Sequence, residues 1–138
     1  MVASYEPNNN EKSIAIARAL DAYGADDTLA LDISEQSGFA DCFVLASAPS
    51  QGRLRGLYRK THETLSDLGL EPRQSHKRND DSGWLLIDCD GIVIHLMLEE
   101  LRRFYELENL WYDATVLFRT ERSEDGDRSN RDKTDGDV

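Results

Sequence analysis

The chain has 138 residues, with 27 acidic against 16 basic side chains and a net charge of −11. That length suits one domain able to bury a core without disulfide or metal staples. The charge repels a phosphate backbone over most of the surface, so direct nucleic-acid binding is disfavoured, with no sequence-specific recognition expected, and a basic protein is the easier partner. The opening MVASYEPNNNEK has no apolar stretch of the signal-sequence kind, and no apolar run long enough to span a membrane follows. A cytoplasmic protein with no membrane contact is therefore expected. Cys42 and Cys89 lie far apart in apolar, strand-like runs, which favours buried, reduced thiols over a framework disulfide.

Residues 1–10 are polar and expected to be flexible, and Asn10 is the expected cap of a first helix running from Glu11. Ala17, Leu20 and Tyr23 form its apolar stripe beside Ile14 and Ile16, and Gly24 stands where a helix end favours positive φ. The runs from Thr28 to Ile33 and from Asp41 to Ser47 have strand character, joined by a polar connection from Ser34 to Ala40. Pro49 and Ser50 then stop the strand and cap a second helix, whose stripe Leu54, Leu57, Tyr58, Thr61, Leu65 and Leu68 keeps helical spacing to Gly69. Its other face carries Arg53, Arg55, Arg59 and Lys60, the one concentrated basic patch in the chain.

Glu71 to Lys77 reads as an edge strand because it is polar and holds Pro72, and Arg78 to Gly83 reads as a loop. Trp84 to Asp88 and Ile92 to Leu98 are continuous apolar runs of the kind found in central strands, and Asp90-Gly91 between them predicts a tight hairpin turn. A last helix presents Leu98, Leu101, Phe104, Tyr105 and Leu107 on one side, with Glu99 and Arg103 at pairing distance. Residues 119–138 hold seven acidic and five basic side chains and a single apolar one, a composition expected to stay disordered. The predicted fold class is α/β: a single domain over 11–118, a mixed five-stranded sheet with helices packed on it.

Two kinds of chemistry are open on these residues. Asp88 and Asp90, at the end of a strand, are spaced to share a divalent cation, as a metal-dependent nucleotidyl or phosphoryl transferase would need. Such an enzyme also needs a Gly-Ser phosphate loop, and the nearest equivalent, Ala46-Ser47-Ala48-Pro49-Ser50, has no glycine and contains a proline. The simpler reading is that Asp88 ends a strand and Asp90 starts a turn. His95 has no second histidine or cysteine at metal-ligand spacing and reads as a packed or interface residue. Trp84, Phe104, Tyr105 and Trp111, with Met97, Arg102 and Arg103, have the composition of a protein-docking patch as well as of a core.

ALDISEQSGFADCFVLAS resembles the signature that opens the sheet in ribosomal silencing factors of the Iojap family, with Asp32, Ser34 and Asp41 at matching spacing. WLLIDCDGIVIHLMLEELRRFYELENLWYDA is similar to the second signature of that family, matching at Trp84, Asp88, His95, Glu100, Arg102, Tyr105 and Trp111 among others. The chain departs from many relatives at Cys42, Ala48-Pro49, Asp90-Gly91, Glu99 and Tyr112. None of these changes removes an aromatic or charged anchor of the second signature. The resemblance implies a non-enzymatic translational repressor, without cofactor or metal, whose fold is related to nucleotidyltransferases but lacks their active site. It implies binding to the large ribosomal subunit through a ribosomal protein, the fourteenth in the standard naming (uL14), and a steric block to subunit joining under nutrient limitation. The partner-binding residues expected on that basis are Trp84, Leu86, Asp88, His95, Met97, Glu100, Arg102 and Tyr105. A homodimer of the free protein is a further expectation, because exposed aromatics seek cover.

Overall fold

The computed structural model describes residues 7–75, 82–105 and 113–120. Helix α1 spans Asn9–Tyr23. Its cap is Asn8 rather than the expected Asn10: the Asn8 side chain accepts the Glu11 N–H and the Glu11 carboxylate accepts the Asn8 N–H, both at 2.9 Å. Three consecutive asparagines can each cap a helix, and only Asn8 has a glutamate three residues later to close the reciprocal box. The other two are used as ties. Asn9 donates to the Asp41 carboxylate at 2.9 Å and the Asp90 carbonyl at 3.0 Å, and Asn10 donates to the Asp32 carboxylate at 3.1 Å. Order therefore reaches back into the stretch expected to be loose.

Strands β1 (Asp26–Asp32) and β2 (Cys42–Ala48) pair antiparallel. Helix α2 (Gln51–Asp67) follows, capped as expected by Ser50, whose hydroxyl accepts the Arg53 N–H. It leads to a short β3 (Gln74–Ser75) at the sheet edge. Strands β4 (Trp84–Cys89) and β5 (Ile92–Leu98) form the expected hairpin. Its turn has Asp90 at φ 49 and Gly91 at φ 88, and positive φ at both central positions is what a two-residue hairpin matched to strand twist requires. Gly91 is needed for space as well, since a Cβ there would lie 2.9 Å from the Asn9 amide nitrogen. Helix α3 covers Glu99–Tyr105. Leu107 and Trp111, like residues 76–81 and 121–138, lie outside the described residues, and with them the expected loop and charged tail.

All five expected strands are present, and a sixth joins them. Strand β6 (Thr115–Arg119) adds antiparallel to β1, giving the order β3-β4-β5-β2-β1-β6. The run TVLFR is apolar and β-branched, but the charged segment that it abuts hides its strand character in the sequence. At the centre β2 and β5 run parallel, every other pair being antiparallel.

The core has two parts, one on each face of the sheet. Ile16, Leu20, Leu54, Leu57, Leu65, Ile94 and Leu96 lie between the sheet and the α1–α2 layer. Leu29, Leu31, Ile33, Phe43, Leu45 and Val93 lie on the second face. Each fully buried Leu or Ile contributes about 1.5–3 kcal/mol, so both faces carry substantial stabilisation. Removing the cap by Asn8→Ala is expected to cost about 1 kcal/mol in denaturant unfolding; an unchanged midpoint would show that the cap does not hold α1.

Candidate functional site

Strand alternation sorts the expected binding residues. Across the hairpin Trp84 faces Met97, Leu86 faces His95 and Asp88 faces Val93. These side chains therefore share the second face, turned away from α1 and α2, and Leu86 packs against the cluster there. Five of the eight expected residues are thus brought together by β-register alone.

His95 is the centre of that group. It is 7% exposed, and its ring meets Phe43 edge-on at a centroid distance of 4.8 Å and Trp84 at 6.0 Å. The Trp84 indole N–H donates to His95 Nδ1 at 3.2 Å, which makes Nδ1 the unprotonated nitrogen and puts the proton of the neutral ring on Nε2. Burial pushes the His95 pKa down to about 4, because a charged imidazolium would lose its hydration. The row continues from Phe43 to Phe39 at 6.3 Å. Phe39 is 69% exposed, on the connection between β1 and β2. An open hollow beside it is lined by Phe39, Arg73, Asp88 and Gly91. Phe39 was not among the residues expected from the sequence, where it lies in a polar connection; the signal was an aromatic after glycine inside the first signature.

Other expected residues are placed differently. Met97 is fully buried. Arg102, 7% exposed, donates to the Asp27 carbonyl and, at 3.4 Å, to the Ser47 hydroxyl. Ser47 in turn donates to the Asp26 carbonyl at 2.9 Å. Both residues are therefore committed to the interior of the chain, where Arg102 fastens α3 to the start of β1. Glu100 is exposed on α3, and the side chains of Phe104 and Tyr105 lie outside the described set. The expected pair of Glu99 with Arg103 is not among the close ion pairs of the described residues. Glu99 instead meets the Asp26 carboxyl, which raises its pKa, with desolvation adding to the rise and Arg103 opposing it. Asp88 is half-buried on β4 and Asp90 sits in the turn. Among the described residues no group of three or more His, Cys, Asp or Glu side chains is placed to hold a metal.

The first signature has a structural use. Asp32 accepts the Ser34 N–H at 3.0 Å and the Ser34 hydroxyl at 2.7 Å, which lowers its pKa and fixes the start of the connection that carries Phe39. Cys42 and Cys89 are buried and reduced, as expected. Among the described residues no helix is long and apolar enough to cross a membrane.

With the fold and this face in view, the comparisons with known proteins are decisive. The model of the family described as "Ribosomal silencing factor during starvation" matches residues 6–137. The chain belongs to this family. It is 35% identical over 108 residues to the ribosomal silencing factor of Treponema pallidum, covering 78% of this chain and 96% of that one. It is 32% identical over 89 residues to the mouse protein named mitochondrial assembly of ribosomal large subunit protein 1, covering 63% of this chain and 39% of that one. A crystal structure of a Chromobacterium violaceum protein superposes with a TM-score of 0.69 at 25% identity, covering 76% of this chain and 87% of that one. A ribosome-associated role in translational silencing goes with membership of the silencing-factor family.

Two pH dependences follow from the site. A histidine of ordinary pKa 6.5 held near 4 in the fold contributes stability that is present above 6.5 and lost as pH falls toward 4, a loss of about 3 kcal/mol. Against a His95→Gln variant, which does not titrate, the parent should lose that amount between neutral pH and pH 4 by chemical denaturation; identical pH slopes would contradict a buried neutral imidazole. Glu99 has the opposite sign, its raised pKa making the protonated form the favoured one, so stability is full below 4.5 and lost as pH rises. Glu99→Gln should therefore raise the melting temperature at neutral pH and have no effect in acid; a lower melting temperature at neutral pH would refute the Asp26 contact.

Proposed function

We propose that the chain docks on the large ribosomal subunit through uL14 and by its bulk keeps the small subunit from joining. Translation is then repressed when nutrients are limiting. The observation that carries this reading is the aromatic row from Phe39 through Phe43 and His95 to Trp84, which is exposed at the Phe39 end. A row of packed rings set in an acidic body offers apolar anchors for a hot spot and a charge complementary to a basic ribosomal protein. Family membership and the name of the mouse relative support a large-subunit partner.

The expected binding residues divide into two roles. Trp84, Leu86, Asp88 and Glu100 retain exposed surface and would contact the partner, with Tyr105 as the remaining candidate on α3. His95, Met97 and Arg102 are buried and hold the contact residues in place. The mechanism requires affinity and volume, and no bond is made or broken.

Trp84→Ala should weaken binding to isolated uL14 by about 2 kcal/mol, roughly thirty-fold. The measurement is titration calorimetry with purified proteins, alongside a melting curve of the variant. A folded variant that binds as tightly as the parent would remove Trp84 from the interface. If Trp84→Ala unfolds, Trp84→Phe keeps most of the packing and reads the same affinity.

A further inference from the structure

The outer face of α2 carries an arrangement that the fold itself does not explain. Arg53, Arg55 and Arg59 are exposed, and no acidic residue lies in the first turn of the helix. Cations near a helix N-terminus face the positive end of its dipole, and Arg55 and Arg59, four residues apart, repel each other. Neither has a hydrogen bond or a close ion pair among the described residues, where the pair in this region is Lys60 with Glu63 at 3.4 Å. Arg53 is held by one contact, from its guanidinium to the Gly24 carbonyl at 3.2 Å.

An aromatic ring is set among these cations. Tyr23, the last residue of α1, is 44% exposed and lies over Gly56 of α2, where a Cβ would come within 2.9 Å of its hydroxyl and 3.4 Å of its ring. Helical spacing places Arg53 one turn before Gly56 and Arg59 one turn after it. By that spacing the phenol lies at the helix turn between the two arginines. Arginine forks match phosphate oxygens, and a partly exposed ring offers a stacking platform for a base.

We propose that this face takes the sugar-phosphate backbone of ribosomal RNA as a second contact, made once the chain is docked through the second face of the sheet; the inference rests on that docking reading. The free chain, at −11 overall, repels a polyanion, so the patch is too weak to recruit RNA unaided. Tethering through the first contact turns the second into an intramolecular event at high effective concentration. The positions are compatible. Trp84 pairs with Met97, and Ala48 with Leu98, at one end of the sheet, and Ser50 caps α2 two residues beyond Ala48. The arginine-bearing start of α2 therefore rises from the end of the sheet that holds Trp84.

The test compares the parent with the double variant Arg55→Gln, Arg59→Gln, whose changes are confined to exposed side chains. Affinity for isolated uL14 should be unchanged. Affinity for purified large subunits should fall about ten-fold at low salt, and the slope of log K against log salt should become shallower by about one to two units. Equal affinity and equal slope on intact subunits would overturn the proposal, as would an equal loss on isolated uL14. An iron chelate tethered at Ser66→Cys, selective because Cys42 and Cys89 are buried, should cut ribosomal RNA in the docked complex. Lost affinity without RNA cleavage would mean that an acidic protein occupies the patch, which also overturns it. Failure of the parent to bind isolated uL14 would count against the docking reading, and is read separately from the salt slope on whole subunits.

Discussion

The structure depends on the parallel pairing of β2 with β5, in register from Cys42 with Ile92 to Ala48 with Leu98. Both strands are apolar along almost their whole length and are buried on both faces. Two such strands at the centre of a sheet require cover on each side. The α1–α2 layer covers one face, while α3 is fastened to the other through Arg102. The chain reaches this pairing by leaving β2 through α2, starting again at the far edge with β3, and returning through the β4–β5 hairpin. Register then decides which side chains share a face, and through that the composition of the candidate docking surface.

Placing polar groups on a buried sheet face has a cost, because each must find a partner away from water. On the second face a short set of internal bonds meets much of it: Ser47 to Asp26, Arg102 to Ser47 and Asp27, and Trp84 to His95, while His95 Nε2 is left without a partner among the described residues. His95 is kept neutral by its burial. It serves as the acceptor that orients the Trp84 indole, and as the ring between Trp84 and Phe43. Trp84 is consequently fixed in direction while part of its surface stays exposed, the condition under which an aromatic anchor binds with little loss of rotamer freedom. The two faces thus differ in kind. One offers packed rings in an acidic setting, and the helix layer opposite offers arginines around Tyr23.

Much of this was legible in the sequence. Apolar runs of strand length marked β2, β4 and β5, Asp90-Gly91 marked the hairpin turn, and Ser50 marked the start of α2, because each signal is local. What could not be read depended on distance or on competing local signals. Asn8, Asn9 and Asn10 are equivalent as caps until Glu11 selects one of them. TVLFR was hidden by the charged segment beside it. Phe39 looked like part of a polar link until Phe43 and Asp32 fixed its place. Arg102 read as a docking residue because its bonds are made to Asp27 and Ser47, residues 75 and 55 positions away, and no local pattern reports such contacts. Met97 read as a partner-binding residue, and its full burial comes from tertiary cover, which a local pattern does not report either.

The proposed function makes one physical claim, that this chain silences translation by occupying a surface of the large subunit. The most direct measurement is subunit joining followed by light scattering, with purified small and large subunits and increasing amounts of the protein. The account predicts that joining falls as the protein saturates the large subunit, and that the protein sediments with large subunits and not with small ones. Undiminished joining at saturating protein, or sedimentation with small subunits alone, would contradict it.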